Sequence, residues 1–425
     1  MFVKKSRLLT ALFMLLMFLK PVMGKDITTI YVKAEDQKEL LLSDVVKEVE
    51  VVNILSNEID DIIVTRTYTW GKDLLIIESQ QKNQLFLYDK SNSKIISFCD
   101  DISTKNSSAI RNGCSFKHFV GIDGRNLCIT ANDIYYLYKR KGGLVDEFVL
   151  SKYDEEALIF FPYYPMGSKG VAGLEIFISG QTKETPGVNG LQRDLFNQTL
   201  LTIDKRGDVL KYDLPSSYFY DASLNFQDIS SIGNKIYMHF STNDTIYTIN
   251  KNNGKVSASY VFDFGSNAMP SLQDKLYSEV YNYLSANREY IGYPTKVLTS
   301  GNTVSFEYNN CGQNEVGFYN LKSGTVINGK LVNDLFTGRN LKLVGSDKQH
   351  LIFVAERPAK KEYSESVLRF IAQNTSKEVL DDMQKDDREK FSVSEKAADY
   401  MSRSDYATLC NAQEDDVVLL FVKMK

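Results

Sequence analysis

The chain has 425 residues, 43% of them hydrophobic and 12% aromatic, which supplies a large folded core and excludes an intrinsically disordered chain. Lys and Arg number 50 against 54 Asp and Glu, so there is no basic field of the kind that attracts nucleic acid. The five cysteines show no Cys-x-x-Cys spacing, which excludes zinc-ribbon and thioredoxin-like chemistry.

Residues 1–24 have the three parts of a secretory signal peptide. Lys4, Lys5 and Arg7 precede the apolar run Leu8 to Leu19, and Pro21-Val22-Met23-Gly24 follows it. The run is shorter than the roughly 20 residues that cross a bilayer, so cleavage after Gly24 is expected rather than anchoring. Cleavage takes away four basic residues and no acid, moving the formal charge from -4 to -8. With no cysteine directly after the run, lipid attachment there is not expected, and the mature chain, residues 25–425, is read as periplasmic or extracellular. In an oxidising compartment Cys99 and Cys114 are close enough in sequence to pair, and the odd total leaves at least one thiol over.

Ile27 to Val32 and Val45 to Leu55 read as strands. Three strands then follow at Asp73 to Ile77, Gln84 to Tyr88 and Lys94 to Phe98, joined by polar turns. Further groups of strands begin at Asn126, Leu174, Lys235, Thr303 and Leu341. In five of these groups an aromatic or apolar strand ends on a short turn before the next strand, as in Phe86-Leu87-Tyr88-Asp89 and Tyr247-Thr248-Ile249-Asn250. Recurrence at roughly 45 to 70 residues is the mark of a β-propeller, whose sheets cannot bury their own faces alone. Two stretches break the period and are read as helical insertions, 271–290 with Leu272, Leu276, Val280 and Leu284 at steps of four, and the charged 362–405. Strand character returns only at Val417 to Val422. A last strand so far from its partners is what ring closure needs, and an N-terminal strand is expected to join it there.

The resemblance is to the six-bladed, TolB-like β-propellers of exported bacterial proteins. It is carried by Leu41-Leu42-Ser43-Asp44 before a Val-rich strand, by Asn243 to Tyr247 leading to Tyr260-Val261-Phe262-Asp263-Phe264-Gly265, and by the closing Val418 to Lys425. The expected fold is therefore all-β, a six-bladed propeller over 25–425 with short helical insertions in the late blades. Where relatives carry a Gly-Pro-Gly-Glu-aromatic turn after the first blade, this chain has Asn112-Gly113-Cys114-Ser115-Phe116, so no role of that turn carries over.

Phosphate-loop, dinucleotide, zinc-protease, esterase-elbow and EF-hand signatures are absent from the sequence. Of the three histidines, His239 reads as a structural strand residue, His350 as a solvated turn residue and His118 as the one nearest a candidate site. Arg206-Gly207-Asp208 occupies a hairpin turn and reads as turn chemistry. The aromatic run Phe160-Phe161-Pro162-Tyr163-Tyr164-Pro165, the cluster around Tyr220 and the tripeptide Gly292-Tyr293-Pro294 lie between blades. If these loops share a face, Tyr163, Tyr164, Tyr220 and Tyr293 form an aromatic rim, with Arg193 and Arg111 as charged contacts for a ligand. The expected function is that of an exported, non-enzymatic propeller binding a protein, glycan or peptide at one face, with no cofactor. The alternative is a lactonase-like hydrolase or lyase holding a divalent cation in the central channel, for which Glu78 and Glu175 are the early acids near suitable positions. A third reading is a structural scaffold that binds protein alone.

Overall fold

The structure is a computed structural model. It describes residues 27–34, 38–55, 63–79, 84–97, 118–123, 126–131, 134–139, 143–149, 164–165, 171–178, 196–203, 209–216, 227–240, 244–252, 255–269, 290–292, 294–310, 312–356, 390–413 and 415–425, with the strands between 118 and 229 described by their backbone.

Six antiparallel sheets follow one another along the chain, each with its first strand innermost. Blade one is Val64–Trp70, Leu74–Ser79, Gln84–Asp89 and Lys94–Ser97, and blade two is His118–Asp123, Asn126–Ala131, Ile134–Lys139 and Gly143–Val149. Blade three is Tyr164–Pro165, Val171–Ile178, Phe196–Ile203 and Val209–Ser216. Blade four is Gln227–Ile232, Lys235–Phe240, Thr245–Asn250 and Val256–Asp263, and blade five is Lys296–Ser300, Thr303–Asn310, Gln313–Asn320 and Val326–Val332. Blade six takes Asn340–Ser346, Leu351–Glu356 and Val417–Met424 from the end of the chain and its outermost strand, Val46–Ile54, from the beginning. The ring is thus closed by joining the two ends of the chain, as expected from the sequence.

The closing strand explains its own composition. Val418, Leu420 and Val422 belong to the core between blades five and six, and Leu419 and Phe421 to the core between six and one. A strand buried on both faces needs a continuous apolar run rather than alternation. A third core joins blades four and five through Phe262, Val304, Phe306 and Tyr308. At the hub, the inner strands touch. Gly345 and Ser346 of blade six pair in parallel with Thr67 and Tyr68 of blade one, and the Ser230 and Thr299 hydroxyls of blades four and five meet at 2.6 Å.

The N-terminal segment does more than close blade six. Thr28–Tyr31 adds a parallel fifth strand to the outside of blade four, and Glu39–Leu41 does the same for blade five. Ile30, Val32 and Ala34 of this segment are buried in the core between blades four and five. A buried network receives the strap: Tyr308 donates to Glu315 at 2.6 Å, and Asn310 donates both to Glu315 and to the carbonyl of Ala34, each at 2.9 Å. Asn328 donates to the carbonyl of Lys33 at 3.0 Å. Burial, and then its bond to Glu315, hold the Tyr308 hydroxyl in its protonated form to well above the usual tyrosine range. Farther along, Ser43 in the one-turn helix Leu42–Val45 donates from its amide and its hydroxyl to Asp334, which also pairs with Lys396. Each outer edge that would invite pairing with another chain is thereby covered in blades four and five. The outer edge of blade six is covered by the late insertion, where Val49 donates to the carbonyl of Tyr400 and Val51 to Asp405 in helix Arg403–Asn411.

The first strand of most blades is where sequence and structure part. Only blade six shows its inner strand plainly in the sequence. The others, such as Val64-Thr65-Arg66-Thr67-Tyr68-Thr69-Trp70 and Gln227-Asp228-Ile229-Ser230-Ser231-Ile232, interleave hydroxyl and charged residues with apolar ones: Val64 and Trp70 are buried, while Arg66 and Tyr68 between them stay partly exposed.

Candidate functional site

Antiparallel connectivity assigns the connections to two ends. In a four-stranded blade the hairpins between strands one and two, and three and four, lie at one end. The connections between strands two and three, and from blade to blade, lie at the other, the leading end, where each inner strand begins.

Arg66 stands directly opposite Glu78 on the first two strands of blade one, and Tyr68 lies two residues on. Opposed residues of an antiparallel pair project to the same face, and so do residues two apart, so the three side chains share one face. The Tyr68 hydroxyl hydrogen-bonds to the Glu78 carboxylate. Lys296, the first residue of blade five's inner strand, reaches across to blade six and donates from its ammonium to the carbonyl of Leu343. Its charge is felt at Glu78. All four side chains are partly exposed.

Burial dominates the Glu78 carboxyl and pushes its pKa up, while Arg66, the Tyr68 bond and Lys296 pull it down. Two cations beside this acid suit it poorly to a divalent metal. Among the described residues no three His, Cys, Asp or Glu side chains stand close enough to share a metal ion. Glu175 lies on the second strand of blade three, opposite Thr199.

Of the sequence-derived binding residues, Tyr164 opens the inner strand of blade three. Tyr163, Arg193, Tyr220, Tyr293 and Arg111 lie outside the described residues. The described strands on either side of each of them end at the leading end of the ring. Those strands are Lys94–Ser97 and His118–Asp123 around Arg111, Gly143–Val149 and Tyr164–Pro165 around Tyr163, and Val171–Ile178 and Phe196–Ile203 around Arg193. Val209–Ser216 and Gln227–Ile232 flank Tyr220, and Val256–Asp263 and Lys296–Ser300 flank Tyr293. Cys99 and Cys114 also lie outside the described residues, and Cys410 is an exposed free thiol.

Two of the histidines, His239 and His350, take structural positions. His118 begins blade two's inner strand. His239 is buried edge-on to Phe262, with ring centres 6.2 Å apart. His350 departs from expectation: it does sit in a turn, but its side chain is only 13% exposed. It is held 3.1 Å from Asp347 and packed edge-on against Phe421, and the bond to Asp347 raises its pKa. Arg66, Tyr68 and Lys296 escape sequence reading. The alternation of Val64, Arg66 and Tyr68 with threonines is a strand signal, but nothing local reveals that Lys296 reaches a neighbouring blade.

Comparison with known proteins decides the architecture. Residues 187–356 match a family model described as a 6-bladed beta-propeller. A Bacteroides fragilis protein assigned as exported superposes with a TM-score of 0.55 at 16% identity, over 94% of this chain and all of that one. The chain is a six-bladed β-propeller. A protein assigned as TolB from Agrobacterium tumefaciens aligns with this propeller at a TM-score of 0.34 and 11% identity, over 67% of this chain and 88% of that one. The calcium-binding protein regucalcin from the same organism gives 0.38 at 10% identity, over 94% and 97%. A search of curated proteins finds no match to the sequence. No helix among the described residues is long and apolar enough to cross a membrane.

Proposed function

We propose that the propeller is an exported, non-enzymatic binding protein that takes a ligand or protein partner at the leading end of its ring. The observation that carries this reading is the convergence of Arg66, Tyr68, Glu78 and Lys296, from two blades and braced on a third, at the end to which the strands flanking Tyr163, Tyr220 and Tyr293 also lead. Such a set places charged groups and a hydroxyl at fixed positions on rigid strands, which is what orients a bound molecule. Export is supported by the pattern of residues 1–24 and by the Bacteroides fragilis protein of the same fold, assigned as exported.

The test is capture of glycans, peptides and envelope proteins by the purified mature chain, residues 25–425, beside two variants. Tyr163→Ala combined with Tyr164→Ala removes two aromatic rings from the segment that enters blade three. Tyr31→Ala removes an exposed ring from the outer rim, where Tyr31 is 67% exposed. The expected result is a bound species kept by the rim variant and lost by the double variant. Capture indifferent to both, or turnover of a lactone that depends on an added divalent cation, overturns the reading. The second outcome would favour a lactonase-like enzyme.

A further inference from the structure

We propose that the end of the ring opposite the leading end is a docking face for an anionic lipid surface, with lysines on the hairpins of blades one, five and six as the attracting charges. The inference concerns the other end of the molecule from the binding reading above and does not depend on it.

The hairpins at this end are bonded into one connected surface. In blade one the amide of Lys90 donates to the carbonyl of Asp73, and in blade five that of Leu321 donates to the carbonyl of Asn302, so the outer hairpin of each blade is tied to its inner one. Gly301 of blade five donates to the carbonyl of Lys348 in the blade-six hairpin at 3.0 Å, and Lys90 sets its ammonium 4.5 Å over the ring of Phe421 in blade six. Five lysines stand on this surface: Lys72, Lys90 and Lys94 on blade one, Lys322 on blade five and Lys348 on blade six. All but Lys90 are exposed, and among the described residues the side chains of these four have no ion pair or hydrogen bond. Blade four repeats the pattern with Lys235, Lys251 and Lys255. The same hairpins carry three acids, Asp73, Asp89 and Asp347. Asp89 accepts from the amides of Ser91 and Asn92, and Asp347 accepts from those of Gln349 and His350 and is paired with the His350 ring. On the neighbouring outer strand of blade six, Glu50 lies 3.7 Å from that ring and Glu48 pairs with Lys423. The face is therefore cationic on a chain whose formal charge is -4.

The chemistry of these cations selects the partner. All of those on the described hairpins are Lys, a compact, hydrated point charge without the planar fork that grips a single carboxylate or phosphate. The centres of protein interfaces are depleted in Lys and built on aromatic and Arg anchors. Here the hairpins are made of Gly, Ser, Asn, Thr and Lys, with no exposed large apolar side chain among their described residues. Charges spread over several blades suit a diffuse array of anionic headgroups, which attracts each nearby Lys in turn and needs no pocket. With this end on the membrane, the leading end faces away from it.

The test is flotation of the mature chain with vesicles of phosphatidylglycerol and phosphatidylcholine in a one-to-three ratio, beside vesicles of phosphatidylcholine alone. It is run in ~0.1 M and ~1 M salt, between which the screening length falls from about 10 Å to about 3 Å. Binding is expected to the mixed vesicles alone, in low salt, and is expected to be lost in high salt. Lys72→Gln, Lys322→Gln and Lys348→Gln together should weaken it by about thirtyfold or more, each lysine near an anionic surface being worth about fivefold. The matched triple Lys33→Gln, Lys330→Gln and Lys390→Gln removes the same charge from exposed positions outside the hairpins and should weaken binding far less. Thermal unfolding checks that both triples are folded, and the single hairpin variants, each expected to lose about fivefold, serve in place of a triple that is not. No binding to the mixed vesicles, binding that survives high salt, or equal weakening by the two triples each overturns the proposal. Capture of an acidic protein through the hairpin lysines without vesicle binding overturns it too, and makes the partner a protein. Tyrosine-dependent capture at the leading end is read in a separate assay, so either reading can fail while the other stands.

Discussion

A chain that begins at residue 55 is expected not to fold. Without Val46–Ile54 the sixth blade loses its outer strand, and the apolar strand Val417–Met424 is left with an open edge. Val46, Val49, Val51 and Ile54 are all buried in the intact ring, between 0% and 8% exposed. At about 1.5 to 3 kcal/mol for each fully buried side chain, their loss amounts to about 6 to 12 kcal/mol. That is as large as the whole stability of a typical domain, about 5 to 15 kcal/mol. A chain that begins at residue 38 loses only the strand Thr28–Tyr31 and its immediate extension. Ile30 and Val32 go with it, and Asn310 and Asn328 lose the carbonyls they bond. It should fold with stability lowered by about 3 to 6 kcal/mol. Circular dichroism and urea unfolding of the two truncations check the contrast: a cooperative transition for the shorter deletion and none for the longer. Equal behaviour of the two would mean that the strap outside blade four matters as much as ring closure.

Gly345→Ala is expected to be a strongly damaging small substitution. A Cβ there would lie 2.3 Å from the carbonyl oxygen of Thr67 and 2.4 Å from its hydroxyl, because the inner strands of blades six and one are hydrogen-bonded at this point. Backbone cannot rotate aside as a side chain can, so the two blades must part at the hub. The cost should reach or exceed the upper end of the ~1–3 kcal/mol range for overpacking. Gly233→Ala is the matched comparison. Its φ of +57° is unfavourable for alanine, but nothing lies within 4 Å of the added methyl group. It should cost about 1 to 2 kcal/mol, the penalty of the left-handed conformation alone. Denaturant midpoints at constant slope measure both, and a Gly345→Ala loss no larger than that of Gly233→Ala would contradict the close packing of the hub.

What could be read from the sequence follows from where apolar surface is buried. The second and third strands of blades one, four, five and six, such as Leu74–Ser79 and Gln84–Asp89, bury most of their described apolar residues, so they are apolar and legible. So is Val417–Met424, whose distance from its partners also pointed to closure by the N-terminus. Inner strands such as Val64–Trp70 are harder to read because Thr, Ser, Arg and Lys interrupt their buried apolar residues and look like loop residues. The short strand Glu39–Leu41 was hidden because three residues are too few to show a period. The candidate site shares the inner strands' obscurity. Glu78 could be singled out as an acid within an apolar strand, whereas its relation to Lys296 spans more than two hundred residues and exists only once the ring is closed. His350 shows the same limit on a smaller scale. Its turn is evident from Asp347-Lys348-Gln349, but the packing against Phe421 that buries it comes from a strand about seventy residues later.

Ring closure between the two ends of the chain underlies both the fold and the site, because the hub that gathers Arg66, Glu78 and Lys296 exists only when blade six is complete. The most direct test is a cysteine pair at Glu48 and Lys423. These residues are opposed in the register of the closing strands, and their charged groups stand 3.5 Å apart. Directly opposed antiparallel residues fall within the Cα separation that a disulfide spans. Under mild oxidation of the mature chain, peptide mass spectrometry should find Glu48→Cys joined to Lys423→Cys, with the melting temperature preserved or raised. If oxidation leaves these two thiols free in the folded protein, or joins them only between molecules, blade six is not closed by the N-terminal strand and the account of the hub fails with it.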